Sequence, residues 1–332
     1  MLAAASRPSQ MTVTVIIPTY NRRHLLAAAI DSALSQEGVD VEVLVVDDHS
    51  TDGTLEWLDE HYAGKAVCGM TNVHAKGPAG ARNTGLEHAQ GELIALLDSD
   101  DQFLPGHLAA AAELFRAYTK LGLVFGAARY EHNGREVDYM GPNFQYKLTQ
   151  APVEQANDSH LVFGANFFDH LLQYGCYFNL STVVLRRLSP MPLMTESLRI
   201  SEDYEYWVRL SRSMRFACLR QPQIRYLLHD ENISFEATHT TAAHAPSELS
   251  ALRLILSYPD LNRSQRALLK DKMSEVLLHW AYRCTLQGQW GNTWRLHLQG
   301  LQLGRQQSHL RALLKLPLHV VLRPIRQISR AK

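Results

Sequence analysis

Apolar, β-branched runs that stop at polar residues and are followed by segments of helical period constrain this chain more than any other feature. "TVTVIIP" (Thr12 to Pro18) ends at a proline, as a buried strand entering a turn does. From Arg22 to Gln36, Leu26, Ile30 and Leu34 recur every four residues, the spacing of one helical face. "VEVLVVDD" repeats the strand pattern, and "TLEWLDEHY" after it reads as a helix with Ser50 or Asp52 placed to cap its first turn. "ELIALLD" predicts a third strand, "PGHLAAAAELFRAYTK" a helix with Pro105 at its first turn, and "GLVFGAARYE" another strand. This alternation predicts an α/β fold: a mostly parallel, Rossmann-like sheet with helices on both faces.

The pattern changes after Glu131. "HNGR" (His132 to Arg135) is an Asn-Gly turn between strand-like runs and predicts a hairpin. Residues Gly141 to Gly175 read as loops with helical pieces, and "LSTVVLRR" (Leu180 to Arg187) is again strand-like. From about Ala242 onwards apolar residues recur three and four apart, which predicts a helical C-terminal region. The expected organisation is an N-terminal extension over 1–11, a catalytic domain over 12–240 divided near 131/132, and a helical, basic region over 241–332.

At 332 residues and 46% hydrophobic content the chain can bury a large core. Thirty-three basic residues balance thirty-three acidic ones, so net charge gives no reason to expect nucleic acid. The balance is uneven, however. After Glu275 there is no Asp or Glu, whereas Arg283, Arg295, Arg305, Arg311, Lys315, Arg323, Arg326, Arg330 and Lys332 are all basic. The four cysteines form no CxxC pair, which fits a reducing compartment, and the opening "MLAAASRPSQ" lacks the apolar run of a signal peptide. The expectation is a cytoplasmic protein, either soluble or peripheral on the inner face of a membrane.

In an open parallel sheet, ligands bind beyond the carboxyl ends of the strands. Three such ends are polar here: Thr19, Tyr20 and Asn21; Asp47 and Asp48; and Asp98, Asp100 and Asp101. The turn "PTYNRR" has no GxGxxG, and no GxxxxGK[ST] occurs, so neither a dinucleotide fingerprint nor a P-loop is present. "LLDSDD" offers another way to hold a phosphorylated ligand. A D-x-D pair can bind Mg²⁺ or Mn²⁺, which completes its shell with phosphate oxygens and water. The other reading is that these acids cap the following turn.

"VTVIIPTYNR", "LVVDDHSTDGT", "GPAGARNTGLEHAQGELIALLDSDD" and "ISEDYEYW" together resemble the successive motifs of the family 2 glycosyltransferases, inverting enzymes of the GT-A fold that use nucleotide-diphosphate sugars. The resemblance runs from about Thr12 to Ser234. It implies a nucleotide pocket lined by Pro18, Thr19 and Tyr20, with Asp48 accepting from the base, most naturally uracil, and Asp47 orienting the loop. Arg82 would stand near the nucleotide or its diphosphate, Asp98 would face the ribose or the metal's outer shell, and Asp100 would ligate the metal with Asp101 in support. The alternatives are a core aromatic at Tyr20 and a surface helix charge at Arg82.

Inversion requires a carboxylate that takes the acceptor's proton. The resemblance puts that base at Asp203 in "SEDYEYW", with Glu202 beside it as the residue most easily confused with it. Ser201 looks like a helix N-cap, and acids in a first helical turn are favoured by the dipole whatever their duty, a description that suits Glu205 best. The same dipole predicts a lowered pKa and an ionised Asp203. In "YLLHDENIS", His229 could be a metal ligand or a diphosphate contact.

The expected partners are a nucleotide-diphosphate sugar, with a UDP-sugar favoured, and a glycan or lipid-linked acceptor, as in cell-surface polysaccharide synthesis. The other functional class in view is a nucleotide-sugar-binding protein of this fold without turnover. The leucine and arginine mixture of "LRALLKLPLHVVLRPIRQISRAK" suits an anionic membrane surface or, equally, a helical cap with a solvated basic face.

Overall fold

The structure, a computed structural model, describes residues 10–138, 141–229 and 241–316. The chain divides into two compact units, Met1–Asp230 and Glu231–Lys332. The boundary expected at 240/241 and most of the 1–11 extension lie outside the described residues, as do Asp230 to Ser234 of the "YLLHDENIS" motif.

The first unit is built on one sheet. Strands β1 (Thr12–Thr19), β2 (Asp40–Asp47), β3 (Val67–Thr71) and β4 (Leu93–Leu96) run parallel in the order β3-β2-β1-β4. Val13, Val15 and Ile17 of β1 and Val43 and Val45 of β2 are fully buried, as strands covered on both faces require. Helices α1 (Arg23–Leu34), α2 (Thr54–His61) and α3 (Pro78–His88) connect these strands. The strand order reverses beside β1, so β1 and β4 flank the switch point.

Beyond β4 the sheet becomes mixed. After β5 (Asp101–Phe103) and helix α4 (His107–Ala117) comes β6 (Leu121–His132). The later strands are β7 (Arg135–Val137), β8 (Val153–Ala156), β9 (His160–Phe163), β10 (Val184–Arg186) and β11 (Arg215–Leu228). Helices α5 (Gly141–Thr149), α6 (Phe167–Tyr174) and α7 (Glu202–Leu210) lie between them in sequence. The path continues β10-β6-β11-β9-β8, with β10 antiparallel to both its neighbours and β11 parallel to β6. The parallel core matches the sequence pattern, but the antiparallel half was not legible: β8 is exposed along its whole length and shows no alternation. The Asn-Gly hairpin is present as expected, with His132 opposite Arg135 and positive φ at both Asn133 (51°) and Gly134 (73°).

The expected caps differ. The residue before α2 is Gly53 in the left-handed conformation, and neither Ser50 nor Asp52 caps that helix; Asp52 instead takes the Arg23 N–H and the Thr54 hydroxyl. Pro105 lies outside α4, whose cap is Gly106. Ser201 does precede α7, but its φ of 65° leaves its side chain without a cap hydrogen bond.

The second unit contains helices Thr241–Leu256, Arg263–Leu286 and Trp290–Leu301 and a further helical segment over 306–316. Asn262 and Gln265 form a reciprocal capping box at the start of the longest. No helix among the described residues is long and apolar enough to cross a membrane.

Candidate active site

The loops that leave β1 and β2 are tied together at the switch point. The Asp48 N–H donates to the Thr19 carbonyl at 2.8 Å, and Asn21 and Ser50 are linked by a second bond of the same length. Pro18 pairs with Val46 in the sheet, and the buried Thr19 hydroxyl has no partner. Tyr20 is 45% exposed with the Lys76 ammonium 4.1 Å from its ring centroid, so it is a surface ring and not a core aromatic.

The two aspartates at the end of β2 take different partners. Asp48 is buried and held by Asn72 Nδ2 at 2.7 Å and the Gly77 N–H at 2.8 Å. Asp47 accepts from the Ser50 N–H at 3.1 Å through one oxygen, while the other is buried without a partner. Asp48 therefore has a clear structural duty, and Asp47 keeps the unsatisfied acceptor.

"GPAGARNTG" folds as the start of α3, with Pro78 in its first turn. Gly85 lets this helix press on β1: a Cβ there would meet Ile16 Cγ2 at 2.4 Å. Three consecutive buried side chains then reach three different places. Arg82 donates to Asp98 Oδ1 at 2.8 Å and to Glu202 Oε1 at 3.0 Å. Asn83 holds Met194 and Glu196, and Thr84 donates to Asn72, the residue that anchors Asp48. Arg82 is thus a buried bridge, which corrects the surface-charge alternative.

The acidic cluster follows β4. Asp98 donates its N–H to the Ser181 hydroxyl, which in turn donates to Asp101 at 2.5 Å. Burial, reinforced by the charges of Asp98 and Asp100, holds the Asp101 carboxyl well above the usual carboxylate range. One oxygen of Asp100 receives Arg22 Nη1 at 2.6 Å and lies 3.2 Å from His229 Nε2. The expected metal pair, Asp100 and His229, is therefore brought together across 129 residues. No preformed group of three His, Cys, Asp or Glu ligands occurs among the described residues. The donor set nonetheless fits Mg²⁺ or Mn²⁺, which use one or two carboxylates and take the rest of their shell from phosphate and water. Arg22 now supplies the cation at Asp100, so a metal would have to displace it.

Asp203 lies in the first turn of α7. Its Oδ1 accepts from the Tyr204 N–H at 2.7 Å, and the Cys176 thiol lies 3.8 Å from its Oδ2. Its pKa is raised, not lowered as the dipole argument predicted: burial outweighs the Tyr204 hydrogen bond and the Arg82 charge. Glu202 is pushed up to about 7 by burial and by the Asp203 charge, against the pull of Arg82. Of the pair, Glu202 is buried and committed to Arg82, whereas Asp203 is only half-buried. Glu205 is a structural residue, as expected, bonded to Thr195 and Arg209.

The residues not anticipated are Asn72, Cys176, Ser181 and Arg22. Only Arg22 carried a local signal, as a cation two residues beyond Tyr20 in the "PTYNRR" turn.

Residues 14–170 match the family model described as Glycosyl transferase family 2. The chain is 44% identical over 100 residues to the Escherichia coli UDP-Glc:alpha-D-GlcNAc-diphosphoundecaprenol beta-1,3-glucosyltransferase WfgD, covering 29% of this chain and 38% of the relative. It is 31% identical over 221 residues to the succinoglycan biosynthesis protein ExoO of Rhizobium meliloti, covering 65% and 60% respectively. The chain thus spans less than two thirds of the length of these curated relatives. Staphylococcus aureus TarS 1-349, solved with UDP-GlcNAc, superposes with a TM-score of 0.62 at 18% identity over 90% of this chain and 83% of that one. The mannosyltransferase PcManGT of Pyrobaculum calidifontis, solved with GDP-Man and Mn2+, does so with a TM-score of 0.53 at 18% identity over 98% and 85%. At such identities the likeness establishes the GT-A fold alone.

Proposed function

We propose, from the membership of this chain in glycosyl transferase family 2, that it moves a sugar from a nucleotide-diphosphate donor, most naturally a UDP-sugar, to a hydroxyl of a glycan or lipid-linked acceptor with inversion. The observation that carries the reading is the junction made by Arg82, which joins Asp98 at the end of β4 to Glu202 beside Asp203. It couples the donor end of the site to the half-buried carboxylate of Asp203, which could serve the acceptor.

In this reading Pro18, Thr19 and Tyr20 line the nucleotide pocket, Asp48 and Asp47 shape its base end, and Asp98 faces the ribose. Asp100 and His229 would hold Mg²⁺ or Mn²⁺, which when bound neutralises charge on the leaving diphosphate. Asp203 takes the proton of the acceptor hydroxyl as its oxygen bonds the anomeric carbon and the bond to the diphosphate breaks. Its raised pKa makes it a stronger base than an ordinary aspartate. The acceptor would approach over residues 132–240, and a lipid-linked acceptor would place the enzyme peripherally on the cytoplasmic face of a membrane.

The test is a panel of UDP-, GDP- and dTDP-sugars, with and without Mn²⁺, offered to lipid-diphosphate-linked sugar acceptors. Metal-dependent release of one nucleoside diphosphate with formation of a product of inverted anomeric configuration is expected. Tight nucleotide binding without turnover on any donor would leave a binding protein instead.

A further inference from the structure

Among the described residues, large exposed apolar side chains concentrate in the second unit, and there they follow one pattern. Tyr282 and Leu286, Trp294 and Leu298, and Leu310 and Leu314 are three pairs spaced i and i+4, each side chain between 47% and 78% exposed. One pair stands on each of the helices Arg263–Leu286, Trp290–Leu301 and 306–316. In every pair the residue after the first member is an arginine: Arg283, Arg295 and Arg311, with Lys315 following Leu314 as well.

The rest of each helix is accounted for internally. Ala281, Cys284 and Thr285 are buried on the first, Thr293, Leu296, His297 and Gly300 on the second, and His309 and Leu316 around the last. His309 joins all three, lying 2.9 Å from His297 Nδ1 and 3.0 Å from the Ser274 hydroxyl. The exposed pairs therefore face away from a core that is already closed. Exposing a large apolar side chain beside an arginine at three separate helices has no packing explanation within the unit.

Charge decides among the possible occupants. No acidic residue follows Glu275, so the cations beside the pairs have no carboxylate of their own stretch to neutralise them. Arg305, which does have partners, reaches back to Asp271 and Glu275. Apolar side chains that can enter an acyl boundary, alternating with guanidinium groups at headgroup level, match an anionic bilayer.

We infer that the outward faces of these three helices form a membrane-docking surface, in which Tyr282, Leu286, Trp294, Leu298, Leu310 and Leu314 enter the interface and Arg283, Arg295, Arg311 and Lys315 contact anionic lipid headgroups. The surface belongs to the second unit and the candidate active site to the first, and the inference does not depend on the transferase reading. Residues 317–332 lie outside the described residues.

The test is co-sedimentation of the full chain with vesicles of phosphatidylglycerol and phosphatidylcholine, and with phosphatidylcholine alone. Salt-sensitive binding to the anionic vesicles is expected. Replacing Trp294 and Leu298 together by Ser should lower the partition coefficient about tenfold. A charge variant, Arg295→Gln with Arg311→Gln, should weaken binding to anionic vesicles and leave weak binding to neutral ones unchanged. Brominated lipids should quench Trp294, seen as the difference between the parent and Trp294→Phe. Circular dichroism of each variant checks that these exposed substitutions leave the fold intact. Undiminished binding after the Trp294 and Leu298 substitutions, which would put it in 317–332, overturns the inference, as does self-association that those substitutions abolish in the absence of any vesicle binding.

Discussion

Arg82 and Glu202 are 120 residues apart in the chain, yet their side chains meet at 3.0 Å in the interior of the first unit. The same guanidinium holds Asp98 at 2.8 Å, and Asp203 adds to the negative field that keeps it charged. One cation thus neutralises carboxylates from the end of β4 and the start of α7.

Arg82→Met should therefore leave the buried Glu202 and the partly exposed Asp98 without their counter-charge. The expected loss of stability is about 3–5 kcal/mol, because breaking a buried pair strands the remaining charges. Arg82→Lys should recover only part of it, since a single ammonium cannot reproduce the two-armed geometry. Urea denaturation followed by circular dichroism distinguishes the two.

Asp203→Asn should lower the transfer rate by about 10²–10⁴-fold with little change in nucleotide affinity, as expected for loss of a general base. Because burial raises Asp203 and its neighbour Glu202, activity should rise with pH on the acid side and approach a plateau as the pair ionises. Rate–pH profiles and nucleotide titrations measure both. Full activity in Asp203→Asn would remove the base assignment.

Arg22 sits on the carboxylate expected to hold the metal. Arg22→Gln should tighten Mn²⁺ binding in the absence of nucleotide by about tenfold, because the competing cation is gone. Isothermal titration of the metal alone reads this directly. Unchanged affinity would mean that the pairing imposes no cost on metal entry.

His107 is buried, with Nδ1 on Gln223 at 2.9 Å and Nε2 without a partner, and burial depresses its pKa from 6.5 to about 4. The unfolded chain takes up this proton first. Stability should therefore be full above pH 6.5 and fall as pH drops towards 4, by about 3 kcal/mol at most from this residue. His107→Asn, which keeps a donor near the Nδ1 position, should flatten that decline in thermal melts between pH 7 and 4.

Much of the first unit was legible locally. "TVTVIIP", "VEVLVVDD" and "ELIALLD" carry enough β-branched and apolar residues to specify buried strands whatever surrounds them, and "HNGR" contains the two residues most tolerant of the φ its turn needs. The edge hairpin of β8 and β9 was missed because "VEQA" is solvent-exposed and has no face to alternate. The caps were misread because left-handed residues, Gly53 and Ser201, turn the chain into α2 and α7 in place of side-chain hydrogen bonds.

The sequence by itself determined which strand ends are polar and which carboxylates stand there, because those properties depend on neighbours a few residues away. It could not determine their partners or their charge states. The antiparallel insertion of β10, the pairing of Arg82 with Glu202, the approach of Arg22 and His229 to Asp100 and the upward shift of Asp203 all arise from contacts across long sequence separations. Desolvation outweighs the helix dipole at Asp203 for the same reason: the dipole belongs to one helix, whereas burial is created by every element packed around it.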